Sequence, residues 1–151
     1  MMKVLFLCTG NSARSQMAEA LLRHHAGDRF EVYSAGLEPR GIHPYTVQVM
    51  NEIGIDIGGQ SSKDVMEYMG RVHFGTVITV CANAEARCPI FPFATTRLHW
   101  PFDDPAKMIG TPDVVLAKFR EVRDQLDAHI REWLAEQDHS LEQQAKEAES
   151  R

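Results

Sequence analysis

Three residues near the start of the chain have the types and spacing of a nucleophile beside an oxyanion cup. Cys8 ends the apolar run Val4-Leu5-Phe6-Leu7, and Arg14 and Ser15 stand six and seven positions further on. The run reads as a strand buried on both faces. From Arg14 the spacing becomes helical, with Met17, Ala18, Leu21 and Leu22 able to share one side. The loop between them therefore meets the N-terminus of a helix, where unpaired N–H donors and the helix dipole favour an anion. Thr9, Gly10, Asn11, Ser12, Ala13 and Arg14 are the candidate oxyanion-binding residues. Gly10 is expected to allow the backbone its tight path, and the planar Arg14 fork fits a tetrahedral oxyanion through two donors. Such surroundings favour a thiolate over a thiol, and Ser15 can donate its hydroxyl proton to the sulfur. The chemistry implied is attack by the Cys8 sulfur on a bound oxyanion. The plainer reading, a buried and inert cysteine at a strand end, is disfavoured by the context from Cys8 to Ser15.

Two further thiols, Cys81 and Cys88, lie together later in the chain with six residues between them. That spacing is neither a zinc ribbon nor a thioredoxin motif, and alone it says little. A zinc site using both and a histidine such as His99 would lack the close cysteine pair of structural zinc. Two unrelated buried thiols are the other plain reading. The seven histidines show no metal spacing, and no metal is expected. His24-His25 falls at a helix end, and His43 can act as a cap.

The elements that must position these groups alternate between strand and helix. A first helix runs from Arg14 to near Ala26, closed by Gly27. Phe30 to Tyr33 reads as a second strand, ending at Ser34-Ala35-Gly36. Pro44 suits a first helical position, followed by Val47, Met50 and Ile53 at helical spacing. Ser61 or Ser62 can cap a short helix over Asp64 to Met69. Thr76 to Val80 is the strongest strand signal. Residues 82 to 89 read as a short helix or a mobile loop. Arg97 to Trp100 reads as a fourth strand. Thr111-Pro112-Asp113 opens a last helix carrying Val115, Phe119, Val122, Leu126, Ile130 and Trp133 as a core stripe. Residues 137–151 are polar and read as a tail, a frayed helical extension or disordered, after a single domain over 1–136. The alternation gives an α/β fold with a parallel sheet flanked by helices. In such sheets ligands bind beyond the carboxyl ends of the strands, where Cys8, Ser34 and Cys81 all fall.

Composition sets the class. With 151 residues, 44% hydrophobic and 25% charged, the chain is long enough for one domain with a real core. Its net charge of −5 argues against non-specific nucleic-acid binding. No apolar run approaches a membrane span, and the N-terminal run is too short for a signal peptide. The expected setting is the reducing cytoplasm, where an odd number of cysteines points to catalytic or redox-active thiols. A monomer is expected.

The string from Cys8 to Glu19, Cys-Thr-Gly-Asn-Ser-Ala-Arg-Ser-Gln-Met-Ala-Glu, resembles the loop of the low-molecular-weight tyrosine phosphatases. It is closer still to the thioredoxin-coupled arsenate reductases built on that fold, as are Val80 to Ala84 and Cys88-Pro89-Ile90. The resemblance spans residues 3 to about 134. It implies a three-layer fold with a four-stranded parallel sheet, arsenate as substrate with phosphate or sulfate as mimics, no bound cofactor, and thioredoxin as external reductant. It also implies a relay. Cys8 attacks arsenic, Cys81 attacks Cys8, and Cys88 attacks Cys81, each disulfide step being thiolate attack on sulfur. Asp104 matches the family's general acid. In isolation it reads first as a turn aspartate before Pro105, and Asp103 is the less suited neighbour. Ala106 stands where the phosphatases usually carry an aromatic, which favours a small inorganic anion.

Some of these reductases bind potassium through residues matching Asn11, Glu19, Ser34 and an aspartate, and Lys63 occupies the aspartate's place. The expectation is that its ammonium replaces the ion, pairs with Glu19 and supports Asn11. Two competing readings stay open: a phosphatase in which Cys81 and Cys88 are bystanders, and a thiol-based sensor of arsenite or oxidants that needs neither Arg14 nor Asp104.

Overall fold

A computed structural model describes residues 1–150. Four parallel strands form one sheet in the order β2-β1-β3-β4, with β1 Met2–Cys8, β2 Phe30–Gly36, β3 Thr76–Thr79 and β4 Thr96–His99. The helices are α1 Arg14–Ala26, α2 Pro44–Asn51, the short α3 Ala82–Ala86, and α4 Pro112–Glu149. Single 3-10 turns cover Val65–Glu67 and Pro105–Lys107. The anticipated α/β fold with a four-stranded parallel sheet is the observed one.

The central strand explains the layering. Val4, Leu5, Phe6 and Leu7 are all fully buried, because successive side chains point to opposite faces and both faces are covered. Phe6 points to the face of α4, where its ring meets Trp100 and Trp100 meets Trp133. On β2, Phe30 packs on Trp133 of that face, while Tyr33 turns the other way onto Tyr68 and Phe74. Helices α1, α2 and α4 thus cover one face, and the segment around the Val65 turn covers part of the other. Each large apolar side chain so removed from water contributes roughly 1.5–3 kcal/mol.

Local signals set most boundaries. Thr111 caps α4 by accepting from the Val114 N–H, with Pro112 at the first position. His43 caps α2, its ring nitrogen accepting from the Tyr45 N–H at 3.0 Å. Gly27 closes α1 as expected, though in a helical conformation with φ −65°. One expectation changes. The turn at Val65 is capped by Asp64, with Glu67 answering back to the Asp64 N–H, and neither Ser61 nor Ser62 serves. The stretch from residue 137, read as either a frayed helical extension or disordered, is the helical extension: α4 continues to Glu149. Among the described residues no helix is long and apolar enough to cross a membrane.

Candidate active site

The strand-loop-helix at the N-terminus builds an inward-facing cup. The loop's carbonyls are drawn outward by the connection between β2 and α2. Leu37, Glu38 and Arg40 donate their N–H groups to the carbonyls of Cys8, Thr9 and Gly10, at 3.2, 2.8 and 3.0 Å. The Ser12 carbonyl accepts from the His43 N–H and the Thr46 hydroxyl. With its carbonyls taken, the loop leaves its N–H groups for the cavity. That cavity, of about 670 Å³, has Cys8 and Ser12 to Arg14 in its lining, with Arg40 and Lys107 among the flanking side chains. Asp104 and Ala106 line it from the opposite loop.

Cys8 is buried, with its sulfur 2.8 Å from the Ser15 hydroxyl and 3.2 Å from the Asn11 N–H, which donates to it. Asn11 Nδ2 donates to Ser15 Oγ at 2.8 Å, so the hydroxyl keeps its own proton for the sulfur. Both contacts are ones a thiolate accepts. Arg14 reaches across to the acid loop, donating to the Phe102 carbonyl at 3.1 Å and lying 3.5 Å from Asp104. The other Asp104 oxygen accepts from the Ala106 N–H at 3.0 Å. Nucleophile, guanidinium and acid therefore face one cavity.

The special backbone conformation falls on Asn11, with φ +46°, and not on Gly10. Asn11 is fully buried and fully partnered. Its amide donates to Ser15 and to Ser34 at 2.9 Å, and its Oδ1 accepts from the Lys63 N–H and from Gln16. Such a network holds a left-handed asparagine that would otherwise cost free energy. Gly36, at the end of β2, lets the strand approach this loop. A Cβ there would lie 2.7 Å from the Thr9 carbonyl oxygen and 2.9 Å from the Asn11 nitrogen. Gln16 also donates to the Ser61 carbonyl and accepts from Gln60 Nε2, both at 2.8 Å; Gln16, Gln60 and Gly36 carry no chemical signature in the sequence, and these partners lie far along the chain.

Glu19 supports the same network from beneath. It accepts from the Ser34 hydroxyl at 2.5 Å and from Arg23 at 2.6 Å. The Lys63 ammonium stands 3.9 Å from Glu19 and donates to the Ser61 carbonyl. The expected Lys63–Glu19 pairing is therefore the longer of two, and Arg23 makes the shorter. Lys63 supports Asn11 through its backbone N–H, not its ammonium. Burial pushes the Lys63 pKa down, partly opposed by Glu19. With two cations at Glu19 and donors filling Asn11 Oδ1, these residues do not fit a potassium ion. Among the described residues no group of three His, Cys, Asp or Glu could hold a metal.

The structure brings the second thiol to the first and leaves the third apart. Cys81 is buried at the end of β3, 3.4 Å from the hydroxyl of Thr9, the neighbour of Cys8. Its sulfur also accepts from the Ala84 N–H at 3.3 Å and so caps α3. Thr9, Arg14, Cys81 and Asp104 share a second cleft. Cys88 lies beyond α3, half-buried, its thiol directed at the Pro89 carbonyl. Burial pushes its pKa up; Arg97 nearby lowers it in part and Glu85 adds to the rise. All three cysteines are free thiols.

This geometry agrees with comparisons to known proteins. Residues 3–147 match the model of the low molecular weight phosphotyrosine protein phosphatases. The chain is 45% identical to an arsenate reductase of Shouchella clausii over 131 residues, 86% of this chain and 93% of the relative. A solved arsenate reductase in its phosphate-binding state superposes with a TM-score of 0.77 at 32% identity, covering 90% of this chain and 98% of that one. A thioredoxin-dependent arsenate reductase of Corynebacterium glutamicum superposes at 0.69 with 30% identity, covering 93% of this chain and 63% of that one. The chain belongs to the low molecular weight phosphotyrosine protein phosphatase family, among its arsenate reductases.

Proposed function

We propose that the protein reduces arsenate to arsenite through Cys8, Cys81 and Cys88 in turn, and that thioredoxin returns it to the thiol state. Arsenate sits on the loop N–H groups and Arg14, which balance its charge. The Cys8 thiolate attacks arsenic, one As–O bond breaks, and Asp104 protonates the departing oxygen as water. The Cys81 thiolate then attacks the Cys8 sulfur. The S–S bond forms as the S–As bond breaks, and the electron pair stays with arsenic, which leaves as arsenite. Cys88 next attacks Cys81, Cys8 leaves as a thiolate, and the Cys81–Cys88 disulfide is exchanged with an external dithiol. The electrons come from thiols at every step, so no bound cofactor is required. Because the relay must return to thiols, its place is a reducing compartment, the cytoplasm.

The observation that carries this reading is the placement of Cys81, whose sulfur lies 3.4 Å from the hydroxyl of Thr9, the residue that follows Cys8 in the chain. A phosphatase has no use for a second sulfur there. Its machinery is nonetheless complete in Cys8, Arg14 and Asp104, so slow aryl-phosphate hydrolysis is expected, limited by Ala106, which offers no aromatic face. The test is arsenate-dependent NADPH consumption with thioredoxin and thioredoxin reductase. Cys88→Ser is expected to abolish it while aryl-phosphate hydrolysis persists. Undiminished turnover by Cys88→Ser would exclude the relay.

A further inference from the structure

Helix α3 stands between the second and third thiols, and one acidic side chain ties it down. Glu85, on α3, accepts from the buried Thr79 hydroxyl on β3 at 2.5 Å. Its other oxygen takes a hydrogen bond from Arg97 on β4 at 3.0 Å, and Arg97 also donates to the Glu85 carbonyl. His99 on β4 completes the group, its Nδ1 2.9 Å from Thr79 Oγ1 and 3.7 Å from Glu85. The Thr79 proton goes to the carboxylate, so His99 Nδ1 donates to the threonine oxygen. None of these side chains lines the oxyanion cavity.

The relay asks opposite things of α3 at successive steps. While Cys81 attacks Cys8, the wound helix holds Cys81 in place, because its sulfur caps α3 beside Thr9. When Cys88 attacks Cys81, the helix is in the way. A helical path from Cys81 to Cys88 rises about 10 Å, whereas bridged cysteines hold their Cα atoms within roughly 4.4–6.8 Å. α3 must therefore open between the two steps. Bonding of Cys81 to Cys8 removes the cap at one end; Asn83 still reaches Thr9 and Arg87 still reaches Glu38 on the loop side, and the Glu85 side chain is what bonds the helix to β3 and β4.

We propose that Glu85 is the positioning residue that latches α3 wound for the first disulfide and must let go before the second. The latch rests on the relay reading above. Its step is balanced: the Cys88 sulfur bonds to Cys81, the Cys8–Cys81 bond breaks, Cys8 leaves with the electron pair, and Cys88 gives its proton to solvent. A latch of charged and hydroxyl hydrogen bonds sets the opening rate, and weakening it shifts the balance between the two disulfides.

The test separates the two steps in the full chain. In a Cys8→Ser background, only the Cys81–Cys88 disulfide can form, and its rate with oxidised dithiothreitol is read by mass spectrometry. Adding Glu85→Gln is expected to raise that rate about tenfold, the worth of one charge-assisted hydrogen bond. In a Cys88→Ser background, Glu85→Gln is expected to slow arsenate-driven formation of Cys8–Cys81. Thr79→Val, which removes the buried end of the latch, should do both as well. Hydrolysis of p-nitrophenyl phosphate by the Glu85→Gln single variant should stay at the parent level, reporting an intact fold and cup. Equal rates with and without Glu85→Gln in both backgrounds would overturn the latch. If Cys8→Ser with Glu85 in place never bridges Cys81 to Cys88, and arsenate drives no disulfide in the parent, the relay itself falls and the latch with it.

Discussion

Thr9 Oγ1 stands 3.4 Å from the sulfur of Cys81, one residue along the chain from Cys8. Asn83 Nδ2 donates to that oxygen at 2.8 Å, which leaves the threonine proton for the sulfur. The hydroxyl therefore fixes where the second thiol points and can stabilise it as a thiolate. Thr9→Val keeps the backbone N–H and the size of the side chain but removes this contact. Formation of the Cys8–Cys81 disulfide is expected to slow about tenfold, by the worth of one hydrogen bond to a charged sulfur. Aryl-phosphate hydrolysis, which does not use Cys81, should change far less. Stopped-flow or quench mass spectrometry on Cys88→Ser and on Thr9→Val with Cys88→Ser gives the comparison.

Asp104 touches Arg14 at 3.5 Å from one oxygen and the Ala106 N–H from the other. An acid there must give a proton to the oxygen that departs. Asp104→Asn keeps the turn and its N–H contact while removing the proton. It should lower aryl-phosphate hydrolysis by about 10²–10⁴-fold. Asp103 is tied to Lys118 at 2.9 Å, outward from the cup. Asp103→Asn should leave the rate near the parent value, so the pair of variants assigns the role.

The chemistry of the first thiol was legible because it is local. An apolar run, a cysteine, five loop residues and an arginine at a helix start place nucleophile and oxyanion site within one turn of chain. Thr111-Pro112 and the stripe from Val115 to Trp133 were legible for the same reason, since caps and periodicity lie within a few residues. What escaped depends on partners distant in sequence. Gly36 is needed only because β2 runs against the loop at Thr9 and Asn11. The Arg23–Glu19 pair is the exception: it is one helical turn apart and therefore local, and it takes the shorter bond that was expected of Lys63. Glu85 reads as an ordinary charge in an alanine-rich segment until β3 and β4 bring Thr79 and Arg97 beneath it.

Burial raises the Cys88 pKa above its ordinary value, with Glu85 adding to the rise and Arg97 opposing it. At neutral pH this thiol is therefore almost wholly protonated, and only its thiolate attacks. The sign follows: the transfer from Cys8–Cys81 to Cys81–Cys88 should accelerate as pH rises, and keep rising past the pH where an exposed thiol levels off. Arg97→Met removes the opposing cation and should move the profile further to alkaline pH. Single-turnover disulfide mapping between pH 6 and pH 10 reads this directly. A transfer rate flat across that range would contradict the raised pKa.

Around Glu19, two side-chain cations stand at 2.6 and 3.9 Å, from Arg23 and Lys63. The chain supplies the charge that an added monovalent cation would bring. Arsenate turnover is accordingly expected to be the same in potassium and in sodium at equal ionic strength. A several-fold rise with potassium would remove Lys63 from this role. Lys63→Met should cost little if Arg23 carries the balance alone, since the Lys63 contact to Asn11 runs through its backbone N–H. Arg23→Met breaks the shorter pair and a bond to the Val32 carbonyl. It should be the more damaging change, by about 1–3 kcal/mol in urea unfolding.

The far end of α4 is helix with exposed side chains. Among the described residues Trp133 is the last buried one, packed between Phe30 and Trp100. Beyond residue 137 the helix touches the body through the Arg29–Asp138 pair at 2.5 Å, whose side chains are 41% and 51% exposed. Exposed pairs of this kind contribute about 0–1 kcal/mol. The extension is helical because it prolongs an already nucleated helix, for which each added residue brings a hydrogen bond without a new nucleation cost. A chain ending at Glu136 should therefore keep its arsenate turnover and lose no more than about 1 kcal/mol of stability. Its helix signal in circular dichroism should fall by the share those residues hold. Trp133→Ala, only three residues before the cut, empties a core position and should cost about 3–5 kcal/mol. If the truncation were as costly as Trp133→Ala, the extension would have to be docked on a surface of its own chain.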